Sequence, residues 1–342
     1  MLNDDTTTPS DVNTSIPVID FSLFKSDPVE CARHVLEASQ NIGFFYLKNH
    51  GVSQDLIAEM FDASESYFNQ PIKIKAQCMV GTDNVGYTSM KSEKLNPDNH
   101  EVGDLKEAFQ IHRLSVDEKD PVGHFSQGDE ELQFKVGQFF QGLDNMSRKV
   151  MECFAIGLQV PESAGGRHYF NKTHTWDENS QSTLRFLHYP SQPGDPHSPL
   201  AGSHTDYGSM TLLIQKDIPG LEVQASRTHK NVPWVPAPVI PNTILVNIAD
   251  HLQMWTNGLL KSTMHRVMYN LQQKNRSRYS IACFINADID MKLDPIPTPL
   301  ITQEMRAEAT EFEEARNMTA GEYLNWRLKR SYDYAPQLDE DS

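Results

Sequence analysis

The chain has 342 residues, 38% of them hydrophobic and 22% charged, which excludes wholesale disorder. At roughly 150 residues per domain, this length suits two domains, or one large β domain with helical additions. Thirty Lys and Arg against 46 Asp and Glu leave a net charge of −16. That balance excludes general affinity for nucleic-acid phosphates or anionic membranes, so an anionic ligand would need locally placed positive charge.

Residues 1–15 are Asp-, Thr- and Ser-rich and read as a mobile arm. IPVIDFSLF (16–24) alternates apolar and polar positions as a strand does. Residues 28–41 read as a helix with Val35, Leu36 and Ala38 on one side, and 42–52 as a buried strand closed by His50-Gly51. Ser53 is placed to cap the next helix, with Asp55 in its first turn. Its core-facing stripe is Leu56, Ile57, Met60, Phe61, Ser64, Tyr67 and Phe68. Residues 80–104 are polar and glycine-punctuated and read as a long loop.

A second long helix is expected over 130–158, where Leu132, Val136, Phe139, Phe140, Leu143, Val150, Met151 and Phe154 share one face. Residues 170–182 read as loop. From 183 to 289, short β-rich runs alternate with Gly, Pro and Asn, the pattern of a sandwich or barrel. Two helices close the chain, the second opened by a Thr319-Ala320-Gly321-Glu322 capping box. The expected organisation is thus an N-terminal module (16–125), helical support and loop (126–182), a β core (183–290), and C-terminal helices with an acidic tail (291–342). Two β-sheets packed face to face and buttressed by helices fit this order.

Cys31, Cys78, Cys153 and Cys283 form no CxxC pair, which argues against a disulfide framework or thiolate zinc site and for a reducing compartment. The polar, acidic N-terminus is no signal peptide, and apolar runs such as 42–47 fall far short of the ~18 residues of a membrane span. A soluble, cytoplasmic protein is expected.

The chemistry concentrates in AGSHTDYGSMTLLIQ (201–215), where His204 and Asp206 stand two apart. On an extended chain, such residues share a face and can reach one point. HxD alone occurs by chance. His265, in KSTMHRVMYN with 58 residues between it and Asp206, adds a third candidate. Two histidines and one carboxylate form the facial triad of non-haem Fe(II) oxygenases, with coordination positions left open. His251 is a competing candidate ligand, because Asp250-His251 follows a buried-looking run. His34, His50, His100, His124, His168, His174, His197 and His229 read as surface or packing residues.

In RYSIACF (278–284), Arg278 and Ser280 also share a strand face. A guanidinium beside a hydroxyl makes a fork for a carboxylate, and supplies the local positive charge the overall balance lacks. Tyr189, at the end of LRFLHYP (184–190), offers a further hydrogen-bond donor.

With these motifs in place, the sequence resembles the 2-oxoglutarate- and Fe(II)-dependent dioxygenases of the isopenicillin N synthase-like superfamily. The resemblance runs from residue 16 to about residue 289, through IPVIDFS, GFFYLKNHGV, LKEAFQI, LRFLHYP, HTDYGSMTLLIQ, GLEV, VNIADHLQMWTNGLLKSTMHRV and RYSIACF. It is most like fungal members such as thymine dioxygenase, which also pair an LHYP segment with HTDYGS and RYSIA. The resemblance implies a mainly β protein whose core is a double-stranded β-helix, or jelly roll, framed by N- and C-terminal helices. It implies Fe(II) on His204, Asp206 and His265, and 2-oxoglutarate on Arg278 and Ser280 with Tyr189 nearby. It further implies O₂ as co-substrate, ascorbate as a candidate reductant, and oxidation, by default hydroxylation, of a small molecule with release of succinate and CO₂. A setting in secondary metabolism is one candidate. Family members often carry Asn where this chain has Leu187, and Gly where it has Ala249.

Tyr87, Lys91, Phe109 and Phe284 are the candidate substrate contacts, with Lys91 available to a substrate carboxylate. Two other readings stand beside this one. A 2-oxoglutarate-independent Fe(II) oxidase of the isopenicillin N synthase type shares the triad and Arg-x-Ser, and would form no succinate. A non-catalytic jelly-roll binding protein is expected to have lost a ligand or the fork, and all five residues are present. A zinc hydrolase on the same triad would need a general base beside the metal water and gives no reason for the fork.

Overall fold

The computed structural model describes residues 15–81, 84–95, 103–112, 120–177, 179–195, 198–224, 233–308 and 312–331; the 1–14 part of the expected arm lies outside them. In chain order the elements are β1 (Val18–Asp20), α1 (Leu23–Ser26), α2 (Pro28–Asn41), β2 (Phe44–Lys48), α3 (Gln54–Phe68), α4 (Ile72–Lys75), β3 (Gly86–Thr88), β4 (Glu107–His112), α5 (Asp120–Phe125) and α6 (Glu130–Gly157). There follow β5 (Thr183–Tyr189), β6 (Pro199–His204), β7 (Met210–Gln215), β8 (Leu221–Gln224), β9 (Trp234–Pro236), β10 (Thr243–Ile248), α7 (Asp250–Trp255), β11 (His265–Met268) and β12 (Arg278–Ile285). The last elements are α8 (Gln303–Glu308), α9 (Glu313–Arg316) and α10 (Ala320–Ser331).

The expected strand at 16–24 is only three residues long. The Asp20 carboxylate accepts from the backbone N–H and hydroxyl of Ser22 at 3.1 and 2.7 Å, and this local turn ends it. Ser53 caps α3 as expected, accepting from Leu56 N at 3.3 Å. The expected loop at 80–104 contains β3, because Gly86 (φ 111°) lets the chain pass where a Cβ would sit 2.5 Å from the Cys78 carbonyl. A 3₁₀ segment (Gly166–Lys172) reaches into the expected loop at 170–182. Among the described residues the tail holds three helical stretches rather than two, and the last of these opens with the capping box: Thr319 N donates to Glu322 at 2.7 Å, and Glu322 N to Thr319 Oγ1 at 3.2 Å.

Among the described residues, eight strands form one sheet in the order β1-β2-β10-β7-β12-β5-β4-β3, and four form a second, β6-β11-β8-β9. The large sheet is antiparallel except for the β1–β2 pair. This is the jelly-roll core with helical framing, and its sheets do not close on themselves. One face of the large sheet packs on the helices: Phe45, Leu47, Phe109, Phe186, Ile281 and Cys283 join α2, α3 and α6 in a single apolar cluster. The opposite face turns toward the small sheet, where Phe44, Leu187, Tyr189, Leu221, Val267 and Ala282 form a second cluster. Because side chains alternate, strands such as β2, β5 and β12 send one set of residues to the helices and the other to the space between the sheets. No helix among the described residues is long and apolar enough to cross a membrane.

Candidate active site

His204 is the last residue of β6 and His265 the first of β11, and the antiparallel ladder makes them direct partners. Asp206 lies just past the end of β6, so a loop, rather than strand alternation, aims its carboxylate back at the histidines. The Nε2 atoms of His204 and His265 stand 3.7 and 3.6 Å from Asp206 Oδ1, and one ligand atom from each residue lies within 4.8 Å of the others.

Each atom is oriented by a hydrogen bond. His204 Nδ1 faces the Gly202 carbonyl at 2.8 Å and His265 Nδ1 the Thr263 carbonyl at 3.1 Å. A carbonyl only accepts, so the proton is assigned to Nδ1 and both Nε2 lone pairs point inward. Asp206 Oδ2 accepts from Thr211 Oγ1 at 2.6 Å and Asn247 Nδ2 at 2.7 Å, leaving Oδ1 for the centre of the triad. Burial alone would raise the Asp206 pKa, but the two imidazoles and these two donors outweigh it and hold it below the usual carboxylate range. Burial, reinforced by His265, pushes His204 down to about 3. Two neutral imidazole nitrogens and one carboxylate oxygen on one side of an open space are the donor set a non-haem Fe(II) ion takes.

The triad opens on a cavity of about 1020 Å³, solvent at its mouth included. Its floor is the inward set of β5 and β12, paired as Tyr189↔Arg278, Leu187↔Ser280, Arg185↔Ala282 and Thr183↔Phe284. At one end Arg278 is 1% exposed, yet its hydrogen-bond partners are neutral. It donates to Ile218 O at 3.2 Å, Gln215 Oε1 at 3.1 Å and Ser280 Oγ at 3.5 Å, with its guanidinium carbon 4.8 Å from the centre of the Tyr189 ring. Among the described residues, no carboxylate pairs with it. A buried guanidinium without a counter-charge is costly, and burial lowers its pKa. A ligand carboxylate supplies the missing partner, so this end fits 2-oxoglutarate. Leu187 lines the cavity beside the fork.

The other end is built by residues that the sequence did not single out. Arg185 grips Glu93 bidentately at 3.0 and 2.8 Å, and Lys106 joins Glu93 at 2.9 Å and also pairs with Asp104. Asp104 in turn accepts from Gly202 N at 3.1 Å, at the residue whose carbonyl orients His204. The four buried charges cancel. Asn84, Gln110 and Asn286 add neutral polar groups to the same wall. Strand parity was the available signal: Arg185 lies two and four residues before Leu187 and Tyr189, on their face.

Of the four candidate substrate contacts, only Phe284 lines the cavity. Tyr87 and Phe109 are opposite one another on β3 and β4, and both face the helices. Phe109 packs 4.8 Å from the Tyr67 ring, and the Tyr87 hydroxyl donates to Glu107. Alternation puts Lys106 and Gln110 on the cavity side of β4 and Phe109 on the other. Lys91 is exposed, holds a left-handed φ of 68° and is not part of the cavity wall. His251 is buried away from the triad, against Trp255 and Tyr323. His174 is a buried packing residue that bonds Ser209 Oγ at 2.8 Å.

Residues 16–132 match the family model described as the N-terminal region of non-haem dioxygenase in morphine synthesis, and residues 180–287 that of the 2OG-Fe(II) oxygenase superfamily. A UPF0676 protein of Schizosaccharomyces pombe is 32% identical over 94% of each chain. Clavatol oxidase of Penicillium crustosum is 30% identical over 93% of this chain and 96% of its own. The crystal structure of full-length Neurospora crassa T7H in complex with alpha-KG and thymine superposes with a TM-score of 0.75 at 28% identity, covering 93% of this chain and 97% of that one.

Proposed function

The chain belongs to the 2OG-Fe(II) oxygenase superfamily, and on that premise we propose that His204, Asp206 and His265 hold the iron while Arg278 and Ser280 hold the distal carboxylate of 2-oxoglutarate. The enzyme is an Fe(II)- and 2-oxoglutarate-dependent dioxygenase. Iron and 2-oxoglutarate together supply O₂ activation and oxidation of a substrate C–H bond, by default hydroxylation, with release of succinate and CO₂.

The protein's part is orientation and exclusion of water. Thr211 and Asn247 hold Asp206 so that one carboxylate oxygen faces the metal. Gly202 and Thr263 hold the imidazoles in the ligating tautomer. Arg278, Ser280 and Tyr189 bind one end of the co-substrate, and apolar Leu187, Leu221 and Val267 keep that end dry. The 183–290 segment is read as the catalytic core. Residues 16–125 form an accessory module that contributes Glu93, Asp104 and Lys106 to the substrate end.

The primary substrate is read as a small, uncharged, hydrogen-bonding molecule. The charges at its end of the cavity are already paired, while Asn84, Gln110 and Asn286 offer amide groups beside the Phe284 ring. The thymine in the Neurospora structure has this chemistry. Four cysteines outside any disulfide fit a reducing, cytoplasmic setting.

The observation that carries the co-substrate reading is the buried Arg278 without a carboxylate, on the same strand pair as the triad's cavity. Anaerobic titration of iron-loaded protein with 2-oxoglutarate tests it through the visible charge-transfer band of a chelated keto acid. A band that weakens in Arg278→Ala supports the site; iron-loaded protein with no band would overturn it in favour of the 2-oxoglutarate-independent oxidase.

A further inference from the structure

The last described helix, α10, does more than cover the fold. Leu324 and Leu328 face the cavity from it. One residue away, Arg327 reaches past them to the loop that carries two of the triad residues. It donates through Nη1 to Asp250 Oδ2, and through Nη2 to the Thr205 carbonyl at 3.4 Å and the Thr205 hydroxyl at 3.3 Å. Its guanidinium carbon lies 4.1 Å from the centre of the Tyr207 ring. Thr205 sits between His204 and Asp206, and Tyr207 follows Asp206 directly.

Asp250 spreads this contact to the rest of the triad. It is 5% exposed, and Oδ2 also accepts from Tyr323 OH at 2.8 Å and Thr205 Oγ1 at 3.3 Å. Its backbone N–H donates to the Asp206 carbonyl at 3.0 Å. Its Oδ1 accepts from Ser262 Oγ at 2.6 Å. Ser262 precedes Thr263, whose carbonyl fixes the His265 ring. One ion pair, its carboxylate buried and its guanidinium half-buried, therefore touches the segments that present all three metal-facing side chains.

We infer that α10 is a working part of the metal centre: Arg327, acting through Asp250 and Thr205, is a positioning residue that holds the His204–Asp206 loop and the His265 strand in ligating register. This rests on the reading that His204, Asp206 and His265 bind the metal. A carboxylate this buried, once deprived of its cation, must draw in water or shift toward other donors. Either response moves Thr205 and Ser262, and with them the ligands. A role confined to holding the fold together would lower stability and leave the bound metal's geometry untouched.

The test is Co(II) titration of the full-length protein, followed by the ligand-field absorption spectrum and by competition with a chelator. Arg327→Ala is expected to lose roughly 10- to 100-fold in Co(II) affinity, the usual effect of removing a group that orients metal ligands, and to alter the spectrum of the metal that does bind. Arg327→Lys keeps the charge but not the fork and is expected to fall between. Arg330→Ala, an exposed change on the same helix, is expected to match the unaltered protein. A folded Arg327→Ala protein with unaltered affinity and spectrum would overturn the inference. If that variant does not fold, Arg327→Lys and Tyr323→Phe decide, and unaltered Co(II) binding in both is equally fatal. Unaltered protein that binds no Co(II) would instead sink the metal reading itself.

Discussion

His204 and His265 face each other across the β6–β11 ladder, their ring centroids 4.3 Å apart and both Nε2 atoms within 3.7 Å of Asp206 Oδ1. Removing either ring leaves two ligands where three are needed. His265→Ala should abolish iron-dependent turnover and keep its circular dichroism spectrum. It should also lose the thermal stabilisation that metal gives the unaltered protein, which at a hundredfold excess over Kd is about 2.7 kcal/mol. Full turnover in this variant would overturn the triad.

Asp206 depends on two donors for its aim. Thr211→Val and Asn247→Ala each free Oδ2 to rotate toward the metal or pull away. Each should weaken metal binding roughly 10- to 100-fold, with the double variant read by competition against a chelator. Unchanged affinity in both would mean that packing alone orients the carboxylate.

Arg278→Ala should raise the concentration of 2-oxoglutarate needed for half-maximal succinate formation far more than that of iron. Truncating one partner of a buried charge pair costs about 2–5 kcal/mol, or roughly 30-fold at the least. An equal effect on both requirements would show that the fork binds something else.

The Arg185–Glu93 pair is buried on both sides, with side chains 8% and 5% exposed. Arg185→Leu should destabilise the protein by about 3–5 kcal/mol, because Glu93 would be left with Lys106 alone and Lys106 is shared with Asp104. Arg185→Leu with Glu93→Leu should recover most of that loss in urea unfolding. No recovery would place the cost in lost packing rather than in an unpaired charge.

Two buried histidines make acid sensitivity a property of the folded state. Burial pushes His174 down to about 4 and His251 down to about 3. The unfolded chain takes up these protons below pH 6.5 and the folded one does not, so their stabilisation is complete above pH 6.5 and is lost as pH falls toward 4 and then 3. Each steepens the fall in unfolding free energy by about 1.4 kcal/mol per pH unit inside its window. His251→Phe should remove one such contribution from urea titrations at pH 4–6; an unchanged slope would mean that His251 is protonated in the native state.

Chain-local pattern was enough for much of this protein. The stripe of α3, the long face of α6, the Ser53 and Thr319 caps and the β-rich run after residue 183 all follow from periodicity and capping chemistry. HxD, HRV and RxS are short motifs whose members lie within a few residues of one another, so they too can be read without a fold. Alternation tells which residues of a strand share a face, but not which face looks inward. That choice is made by the pairing partners, and it turned Tyr87 and Phe109 to the helices while bringing Lys106, Gln110 and Arg185 to the cavity. The Glu93–Arg185 and Arg327–Asp250 pairs span 92 and 77 residues of chain. A charge in a sequence carries no record of its counter-charge at that distance; only the register of the sheets and the docking of α10 bring the partners out of water together.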